Sequence, residues 1–347
     1  MYRRPPQTRL LRADPDGLAA AASILHAGGL VGFPTETVYG LGANALNARA
    51  VEGIFLAKGR PADDPVIVHL AEASLVEGVA EPNATARRLG DAFWPGPLTL
   101  VLPKRPSVPP EVSAGLDSVG VRVPSHPVAL SLLRESDLPL AAPSANLFGR
   151  PSPTTARHVL DDLDGRIDAV IDGGPTTVGV ESTIIDLTSP APRLLRPGGV
   201  PAEAIEAVLG TRLGAPGPTR AGPQAAPGML AVHYAPRTPL TLVTGPLARE
   251  RLTREVTMAL ARGQRVGVVA LEEDAALFSG RVRAELVGTW HTPETSAARL
   301  YDALRSLDRQ GLDVLFARDL ADPAVGLGRA LSDRLRRAAR HVLDSHD

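Results

Sequence analysis

The chain has 347 residues, a length that fits two domains better than a single core. Its formal net charge of -1 provides no general attraction for nucleic acid. The absence of cysteine excludes disulfides, thiolate catalysis, zinc ribbons and iron–sulfur clusters. There is no apolar run of membrane-spanning length and no secretory signal, so we expect a cytoplasmic protein with no membrane partner.

The first 210 residues alternate helical and strand-like segments. Asp14 is suited to cap a helix that ends at His26, before Gly28 and Gly29. Short runs rich in β-branched residues predict strands at Leu30–Phe33, Val66–Leu70, Leu98–Leu102, Val119–Val123, Ala169–Asp172, Thr183–Leu187 and Arg193–Leu195. Helical patterns lie between them at Ala48–Ala57, Ala84–Phe93, Pro127–Arg134, Thr154–Leu160 and Ala202–Leu209. Some strands follow each other without room for a helix, which predicts an α/β domain with a mixed sheet.

Residues 211–236 have the composition of a linker, because their Gly/Pro-rich segments cannot sustain a helix or a strand. Beyond it, a second α/β pattern predicts a smaller Rossmann-like domain over residues 237–347. Its predicted strands are Leu240–Val243, Val266–Ala270, Glu285–Val287 and Val314–Ala317. Its predicted helices lie near Leu247–Arg262, Ser296–Leu307 and Arg329–Leu343.

The segment Gly-Phe-Pro-Thr-Glu-Thr-Val-Tyr-Gly-Leu-Gly at residues 32–42 is the most informative part of the chain. An apolar strand stops at Pro34, and hydroxyl, carboxylate and phenol groups follow before two glycines. Threonine and tyrosine also favour ordinary strands, but Glu36 is an unusual choice for the interior of a strand. We therefore interpret the segment as a strand that delivers polar side chains to a loop.

Four basic residues stand at strand ends or Pro/Gly turns rather than on helix faces, namely Lys58, Arg60, Arg122 and Arg196. If the fold brings them together, they would line one cavity suited to a triphosphate and a carboxylate, which arginine grips with two parallel hydrogen bonds. The alternative is four unrelated surface charges, since basic side chains are mostly exposed. Without an acidic cluster for a protein-built metal site, magnesium would have to be carried by nucleotide phosphates.

Other polar residues have a functional and a structural interpretation. Ser144 and Asn146 follow an apolar run and Ser182 precedes one, where α/β proteins place ligands but where turns also need such residues. His69 ends a predicted strand, and a lone histidine there is more often structural than catalytic. Tyr234, at the end of the linker, either closes over a site or anchors the linker to one domain.

Seven motifs, taken together and in order, resemble those of the YrdC-type L-threonylcarbamoyladenylate synthases. They are Pro-Thr-Glu-Thr-Val-Tyr-Gly-Leu at 34–41, Lys-Gly-Arg-Pro at 58–61, Trp-Pro-Gly-Pro-Leu-Thr at 94–99, Val-Arg-Val-Pro at 121–124, Ser-Ala-Asn at 144–146, Glu-Ser-Thr-Ile-Ile-Asp at 181–186 and Arg-Pro-Gly at 196–198. This resemblance covers about residues 15–210. The tail resembles the extra domain of the longer, two-domain branch, notably in Gly-Leu-Gly-Arg-Ala at 326–330.

The resemblance implies a fold and a reaction. The fold would be a YrdC-like twisted mixed-sheet catalytic domain over residues 1–210, a linker over 211–236 that reaches over the active site, and the C-terminal Rossmann-like domain. The reaction would convert L-threonine, bicarbonate and ATP into threonylcarbamoyl-AMP and pyrophosphate. A separate threonylcarbamoyl transferase complex would then modify an adenosine beside the anticodon of certain tRNAs. Contact of this chain with tRNA would be indirect or weak.

The resemblance also implies residue roles. L-threonine would be held by Thr35, His69, Arg122, Ser144 and Ser182. ATP would be held by Lys58, Arg60, Ser118, Asn146, Thr154 and Arg196, with Tyr234 covering it from the linker. Lys58, Arg60 and Arg122 would be catalytic, through positioning and charge neutralisation. Asp64 departs from the asparagine that many members have, and it either points away from the phosphates or pairs with Arg60.

Two other functions remain open at this point. An RNA-binding module without its own chemistry could use the same cationic surface, although the near-zero net charge and the 3% aromatic content count against it. A carbamoyl transferase, as in the YrdC-like part of hydrogenase-maturation proteins, would usually come with zinc-finger-like cysteines. This chain has no cysteine.

Overall fold

A computed structural model describes residues 7–215, 226, 233–278 and 280–345. The chain divides into two compact units. The first comprises Met1–Phe148, Ser152–Thr177 and Glu181–Met229, and the second comprises Gly149–Pro151, Val178–Val180 and Leu230–Asp347. Most of the predicted linker at 211–236 lies outside the described residues. Within the described ranges, no helix is both long and apolar enough to cross a membrane.

The first unit is built on one mixed sheet. Its strands are β1 (Arg9–Arg12), β2 (Val31–Phe33), β3 (Gly40–Asn44), β4 (Val68–His69), β5 (Leu98–Pro103), β6 (Ser118–Arg122), β7 (Leu140–Ala141), β8 (Ala169–Asp172), β9 (Thr183–Asp186) and β10 (Arg193–Arg196). Their order across the sheet is β1-β8-β2-β3-β7-β4-β6-β5-β9-β10. Pairs such as β4–β6 are parallel and pairs such as β5–β6 are antiparallel. The predicted mixed α/β fold is therefore confirmed.

Helices cover this sheet. They are α1 (Pro15–His26), α2 (Ala48–Lys58), α3 (Ala84–Phe93), α4 (Pro110–Ser113), α5 (Pro127–Ser136), α6 (Ala156–Leu163) and α7 (Ala202–Leu209). The α2 helix begins where the Asn47 side chain accepts a hydrogen bond from the Ala50 backbone, and it ends at Gly59 in the left-handed region. Lys58 is thereby the last helical residue, placed immediately before the turn that carries Arg60.

The second unit contains a parallel sheet. Its strands are β11 (Leu240–Thr244), β12 (Val266–Ala270), β13 (Arg283–Leu286), β14 (Val314–Arg318) and β15 (His341–Asp344), and its helices are α8 (Ala248–Ala261), α9 (Ala275–Phe278), α10 (Pro293–Asp308) and α11 (Gly326–Ala338). The strand order is β13-β12-β14-β11-β15, and the pairs between neighbours are parallel. The predicted smaller Rossmann-like α/β domain is confirmed by this sheet.

Three elements differ from the patterns in the sequence. The predicted helix Arg329–Leu343 is wrong in its last part, because α11 ends at Ala338 and the chain then forms β15 beside β11. Neither β1 nor β3 was predicted. Glycines make β3 a poor strand by propensity, yet a Cβ on Gly42 would lie 2.8 Å from a ring carbon of Phe33. Only glycine therefore lets β3 pair this closely with β2.

Candidate active site

One face of the first sheet carries several of the predicted site residues. Residues two apart along a strand, and residues in register on neighbouring strands, point to the same face. His69 is in register with Arg122, and Thr99 with Ile184. Counting from these pairs places Ile67, His69, Thr99, Val101, Ser118, Gly120, Arg122, Ile184 and Arg196 on that face. By the same register Asp186 also lies on this face, so the strands present basic, hydroxyl, imidazole and carboxylate groups to one side.

Arg122 is the centre of the first cluster. Its Nη1 donates to Thr37 Oγ1 at 3.0 Å, and its Nε donates to the Gly96 carbonyl at 3.2 Å. Its Nη2 lies 2.7 Å from Glu36 Oε1, and both side chains of this ion pair are less than a tenth exposed. Thr35 Oγ1 lies 2.8 Å from Thr37 Oγ1 and donates to the Val38 carbonyl. The loop after β2 thus holds two hydroxyls and a carboxylate against one guanidinium.

His69 lies beside this cluster and is neutral. Burial and the positive charge of Arg122 lower the pKa of its imidazole to about 3. Its Nδ1 is 3.2 Å from the Ile67 carbonyl, and its ring meets the Phe33 ring edge-on with centroids 6.2 Å apart. The imidazole can therefore donate or accept a hydrogen bond but adds no charge to the site.

Lys58 reaches from the end of α2 to the segment that follows β7. Its Nζ donates to the carbonyl oxygens of Ser144 and Asn146 at 2.5 and 2.6 Å. The side chain is only 2% exposed, so the two carbonyls fix a buried positive charge in place. The Ser-Ala-Asn segment and the Lys-Gly-Arg-Pro turn are therefore joined directly.

Arg60 forms a buried ion pair with Asp64, at 2.9 Å between Nη2 and Oδ2. Its guanidinium also donates to the backbone carbonyls of Asp64 and Pro65. Of the two alternatives for Asp64, pairing with Arg60 is the one the structure contains. Burial raises the pKa of Asp64, and the charges of Arg60, Lys58 and Arg196 oppose that rise. Three of the four predicted cations therefore lie within electrostatic range of one carboxylate.

Arg196 ends β10 and holds the start of β9. Its Nε and Nη2 donate to the Ser182 carbonyl at 3.2 and 3.0 Å, and its Nη2 also donates to Ser182 Oγ at 3.2 Å. Ser182 Oγ lies 2.7 Å from Thr99 Oγ1 on β5. Arg196 is 4% exposed, so this contact again buries a cation beside a hydroxyl.

Ser118 and Thr154 are not part of the contacts described above. Ser118 begins β6 and Arg122 ends it, so about 13 Å of strand separates them although they share a face. Thr154 precedes α6, and its Oγ1 is 3.3 Å from His158 Nδ1. The structure thus brings Lys58, Arg60 and Arg196 near Asp64 and places Arg122 beside Glu36, on the sheet face that also carries Arg196. It leaves Ser118 at the far end of the same face.

Ala226 is the described residue between positions 216 and 232, and it belongs to the first unit. It is 2% exposed and packs in an apolar cluster with Ile67, Val101, Ile184 and Leu195. Three of these partners lie on the face that carries His69 and Arg122. One part of the predicted linker therefore lies against that face.

Tyr234 belongs to the second unit, where its side chain is 1% exposed. Its ring lies 5.7 Å from that of Tyr301 on α10, and the Arg334 guanidinium is 5.3 Å from its centroid. Its backbone is left-handed, at a φ of 64°. The predicted role of Tyr234 as a cover over ATP stays a prediction.

No role was predicted for Glu36, Thr37 or Thr99, although the segment at 32–42 and the motif at 94–99 contain them. Glu36 and Thr37 contact Arg122, and Thr99 contacts Ser182. The signal for Glu36 was present, because a carboxylate between two threonines after a buried strand is unusual. Thr99 ends the Trp-Pro-Gly-Pro-Leu-Thr motif at 94–99, but a threonine at the start of a strand is common, so no separate role was predicted for it.

Metal ligands do not cluster in the parts of the chain that the structure describes. No group of three or more His, Asp or Glu side chains in those ranges could hold a metal ion. Asp64, the carboxylate on which the charges of Lys58, Arg60 and Arg196 act, pairs with Arg60. The chemistry that these clusters offer is therefore binding and neutralisation of anions by cations and hydroxyls.

Two family models match consecutive parts of the chain. The model described as "Telomere recombination" matches residues 23–198, and the model described as "Threonylcarbamoyl-AMP synthase, C-terminal domain" matches residues 200–340. The chain belongs to the threonylcarbamoyl-AMP synthase family. It is a two-domain member of this family of enzymes, as the resemblance in the sequence predicted.

Individual members of the family match almost end to end. The threonylcarbamoyl-AMP synthase of Bacillus subtilis (strain 168) is 48% identical over 94% of this chain and 93% of the relative. That of Pyrococcus abyssi is 46% identical over 92% and 93%. A crystal structure of P. abyssi Sua5 complexed with L-threonine is 43% identical, with a TM-score of 0.89 over 98% of this chain and 99% of that chain. The likeness therefore covers both units.

Proposed function

We propose that this protein makes threonylcarbamoyl-AMP and pyrophosphate from L-threonine, bicarbonate and ATP. The observation that carries the proposal is the gathering of buried cations in the first unit, with Lys58, Arg60 and Arg196 near Asp64 and Arg122 on the same sheet face as Arg196. The reactants carry a triphosphate, a carboxylate and bicarbonate, so they need such charges. The P. abyssi relative solved with L-threonine supports the choice of amino acid.

The residues divide between two reactants. We assign L-threonine to Thr35, His69, Arg122, Ser144 and Ser182. We assign ATP to Lys58, Arg60, Ser118, Asn146, Thr154 and Arg196, and we keep Tyr234 as a cover over the nucleotide. Ser182 is assigned to L-threonine and Arg196 to ATP, and their side chains are in contact. This contact supports binding sites for the two reactants that lie next to each other.

The reaction has two steps. The threonine amine attacks the carbon of bicarbonate, and loss of water leaves a carbamate. A carbamate oxygen then attacks the α-phosphate of ATP in line, and pyrophosphate leaves. Both steps depend on alignment and on neutralising charge, for which Lys58, Arg60 and Arg122 are suited. Carbamate is short-lived in water, so a cover over the site, the role that we keep for Tyr234, would protect it.

Magnesium would be carried to the site by ATP. The donor set fits that role, because the carboxylate near the phosphate-binding cations is paired with Arg60. Magnesium on phosphate oxygens would neutralise charge on the leaving pyrophosphate. Phosphate alignment would remain the task of Lys58, Arg60 and Arg196.

Pyrophosphate release tests the proposed reaction. Purified protein with ATP and bicarbonate would be given L-threonine, L-serine, L-valine or no amino acid, and the adenylate product would be identified by mass. We expect release that needs both L-threonine and bicarbonate. Release without threonine would refute the proposal, and salt-sensitive RNA binding without ATP turnover would favour the RNA-binding alternative.

Variants test the cations. Lys58→Ala or Arg196→Ala should lower threonine-dependent turnover by about 100-fold or more, since each removes one preorganised charge from the phosphates. Circular dichroism and melting curves would check that the fold survives. Wild-type turnover in either variant would refute the role of that residue.

The product would serve a tRNA modification beside the anticodon. A downstream threonylcarbamoyl transferase complex would receive the adenylate, with tRNA contacting this chain weakly or not at all. The net charge of -1 supports this division, because tight tRNA binding needs many phosphate contacts. Both ATP and tRNA are cytoplasmic, and the cytoplasmic location stays a prediction.

A further inference from the structure

Recognition of an amino acid requires opposite charges side by side. L-threonine is a zwitterion, with a carboxylate and an ammonium on the same carbon. The residues assigned to it offer a guanidinium, hydroxyls and a neutral imidazole, but no anion. An ammonium group buried without an anionic or carbonyl partner is costly, so a threonine site built from these residues alone would be incomplete.

Glu36 supplies a buried anion beside Arg122. Its side chain is 7% exposed and lies in the loop that also carries Thr35 and Thr37. Oε1 is 2.7 Å from Arg122 Nη2, and the backbone N–H groups of Glu36 and Ser125 also hydrogen-bond to the carboxylate. An ionised carboxylate offers about four acceptor positions, so it keeps capacity for a further donor.

The surroundings of Glu36 keep it ionised. Burial raises the pKa of its carboxyl group, but the charge of Arg122 and the hydrogen bonds from Arg122 and from the backbone of Glu36 and Ser125 together hold the pKa below its usual value. Glu36 also acts electrostatically on His69 and His126, which places it among the groups around the predicted threonine site. An ionised carboxylate is thus available at neutral pH.

We propose that Glu36 accepts the ammonium group of the amino-acid substrate while Arg122 holds the substrate carboxylate. This inference rests on the proposed function, because it takes L-threonine as the ligand. The Arg122–Glu36 pair matches the charges of the zwitterion, and the adjacent hydroxyls of Thr35 and Thr37 can hydrogen-bond to it. Glu36 is in this view a specificity residue that separates amino acids from hydroxy acids.

A pair of ligands isolates the ammonium contact. (R)-3-hydroxybutanoate keeps the carboxylate, hydroxyl and methyl groups of L-threonine but has hydrogen in place of the ammonium. Titration calorimetry without ATP would measure both ligands on the wild type and on Glu36→Gln. We expect the wild type to prefer threonine by about 10- to 100-fold, the range of a charged hydrogen bond. Glu36→Gln should bind both ligands with similar, weak affinity.

Each outcome has a definite meaning. If Glu36→Gln lowers the affinity for both ligands equally, Glu36 only holds Arg122 and the inference fails. If Glu36→Gln keeps the preference for threonine, the inference fails as well. Should the variant not fold, equal binding of both ligands by the wild type would overturn the inference without it.

A control variant checks that loss of a carboxylate elsewhere does not affect binding, and the ligand results distinguish failure of this inference from failure of the proposed function. Glu77→Gln makes the same chemical change in an exposed pair with Arg87 and should leave both affinities unchanged. A wild type that binds neither ligand would contradict the proposed function. Binding of threonine without preference over (R)-3-hydroxybutanoate would contradict only the role of Glu36.

Discussion

Buried ion pairs are the main feature of the candidate site at the scale of single residues. Arg122 pairs with Glu36 and Arg60 pairs with Asp64, each out of contact with solvent. Such pairs add little net stability, because desolvation of both charges offsets their attraction. We interpret these pairs in the first unit as part of the proposed ligand site. In such a site, a bound anion can take the place of the carboxylate that pairs with each cation.

Replacing Asp64 tests this explanation. Asp64→Asn removes a negative charge from the neighbourhood of Lys58, Arg60 and Arg196. We expect affinity for a non-hydrolysable ATP analogue to rise about fivefold, corresponding to about 1 kcal/mol of removed repulsion. Titration calorimetry would measure it, with Asp63→Asn at the exposed neighbouring position as control. Weaker binding in Asp64→Asn would contradict the idea that Asp64 competes with phosphate.

His69 makes stability depend on pH. The folded-state pKa of about 3 lies below the ordinary value of 6.5, so the unfolded chain takes up the proton first as pH falls. The stability that a neutral His69 contributes is therefore lost below pH 6.5, down to about pH 3. Between pH 6.5 and 5 the wild type should lose about 2 kcal/mol more unfolding free energy than His69→Asn.

Urea unfolding at several pH values would measure this difference. The comparison with His69→Asn removes the contributions of other titrating groups, including Glu36 and His126, which both proteins share. Parallel pH profiles for the two proteins would show that His69 becomes charged in the folded state, contrary to expectation.

At the scale of elements, close contacts between turns and strands position the site. The Arg-Pro-Gly turn after β10 lies directly on the start of β9. A Cβ on Gly198 would come within 2.3 Å of the Glu181 carbonyl oxygen and 2.4 Å of the Ser182 carbonyl carbon. This close approach allows Arg196 to reach Ser182. Glycine is therefore required at position 198 because any side chain would collide with the neighbouring backbone, and not because of the φ and ψ angles of Gly198 itself.

Gly198→Ala should separate this requirement from general backbone strain. The added methyl must push the turn away, and a displacement of about 1 Å in a positioning contact can cost about 100-fold in rate. Gly210→Ala is the matched control, since Gly210 has a φ of 71° but no atom within 4 Å of a Cβ. It should lose about 1 kcal/mol of stability and keep its activity. Equal turnover in the two variants would contradict the argument.

Predictability from sequence also differs between elements. The β-branched runs of β5, β6 and β9 were predictable because burial and strand propensity agree there. The edge strand β15 was not, since its four residues follow a helix and become a strand only by pairing with β11. Strand β3 was not predictable either, because its two glycines are poor strand formers. Its pairing with β2 is explained by the close approach of Gly42 to the Phe33 ring.

At the scale of the whole molecule, positive and negative charges nearly balance, although the candidate site in the first unit is rich in buried cations. The chain has 37 basic and 38 acidic residues, so its attraction for nucleic acid is local at most. The second unit has its own ion pairs, in which the buried carboxylate of Asp274 contacts Arg249 and Arg318. Neither unit therefore depends on a polyanion to balance its charges.

We expect that tRNA does not accelerate the proposed synthesis. Pyrophosphate release by the full-length protein should be the same, within twofold, with and without about 10 μM tRNA, because a net charge of -1 provides no general attraction for the phosphates. The measurement would be repeated at 0.05 and 0.3 M salt, where binding through phosphates would weaken steeply. A salt-sensitive acceleration by tRNA would contradict this expectation.

The sequence alone determined the class of fold, the family and the types of residue available for chemistry, because local patterns and ordered motifs are properties of neighbouring residues. It could not decide which charges meet. Lys58 donates to carbonyls 86 and 88 residues away, and Glu36 meets an arginine far along the chain. Those pairings depend on the order of strands across the sheet, so only the tertiary structure showed that Asp64 pairs with Arg60 and that Glu36 lies beside Arg122.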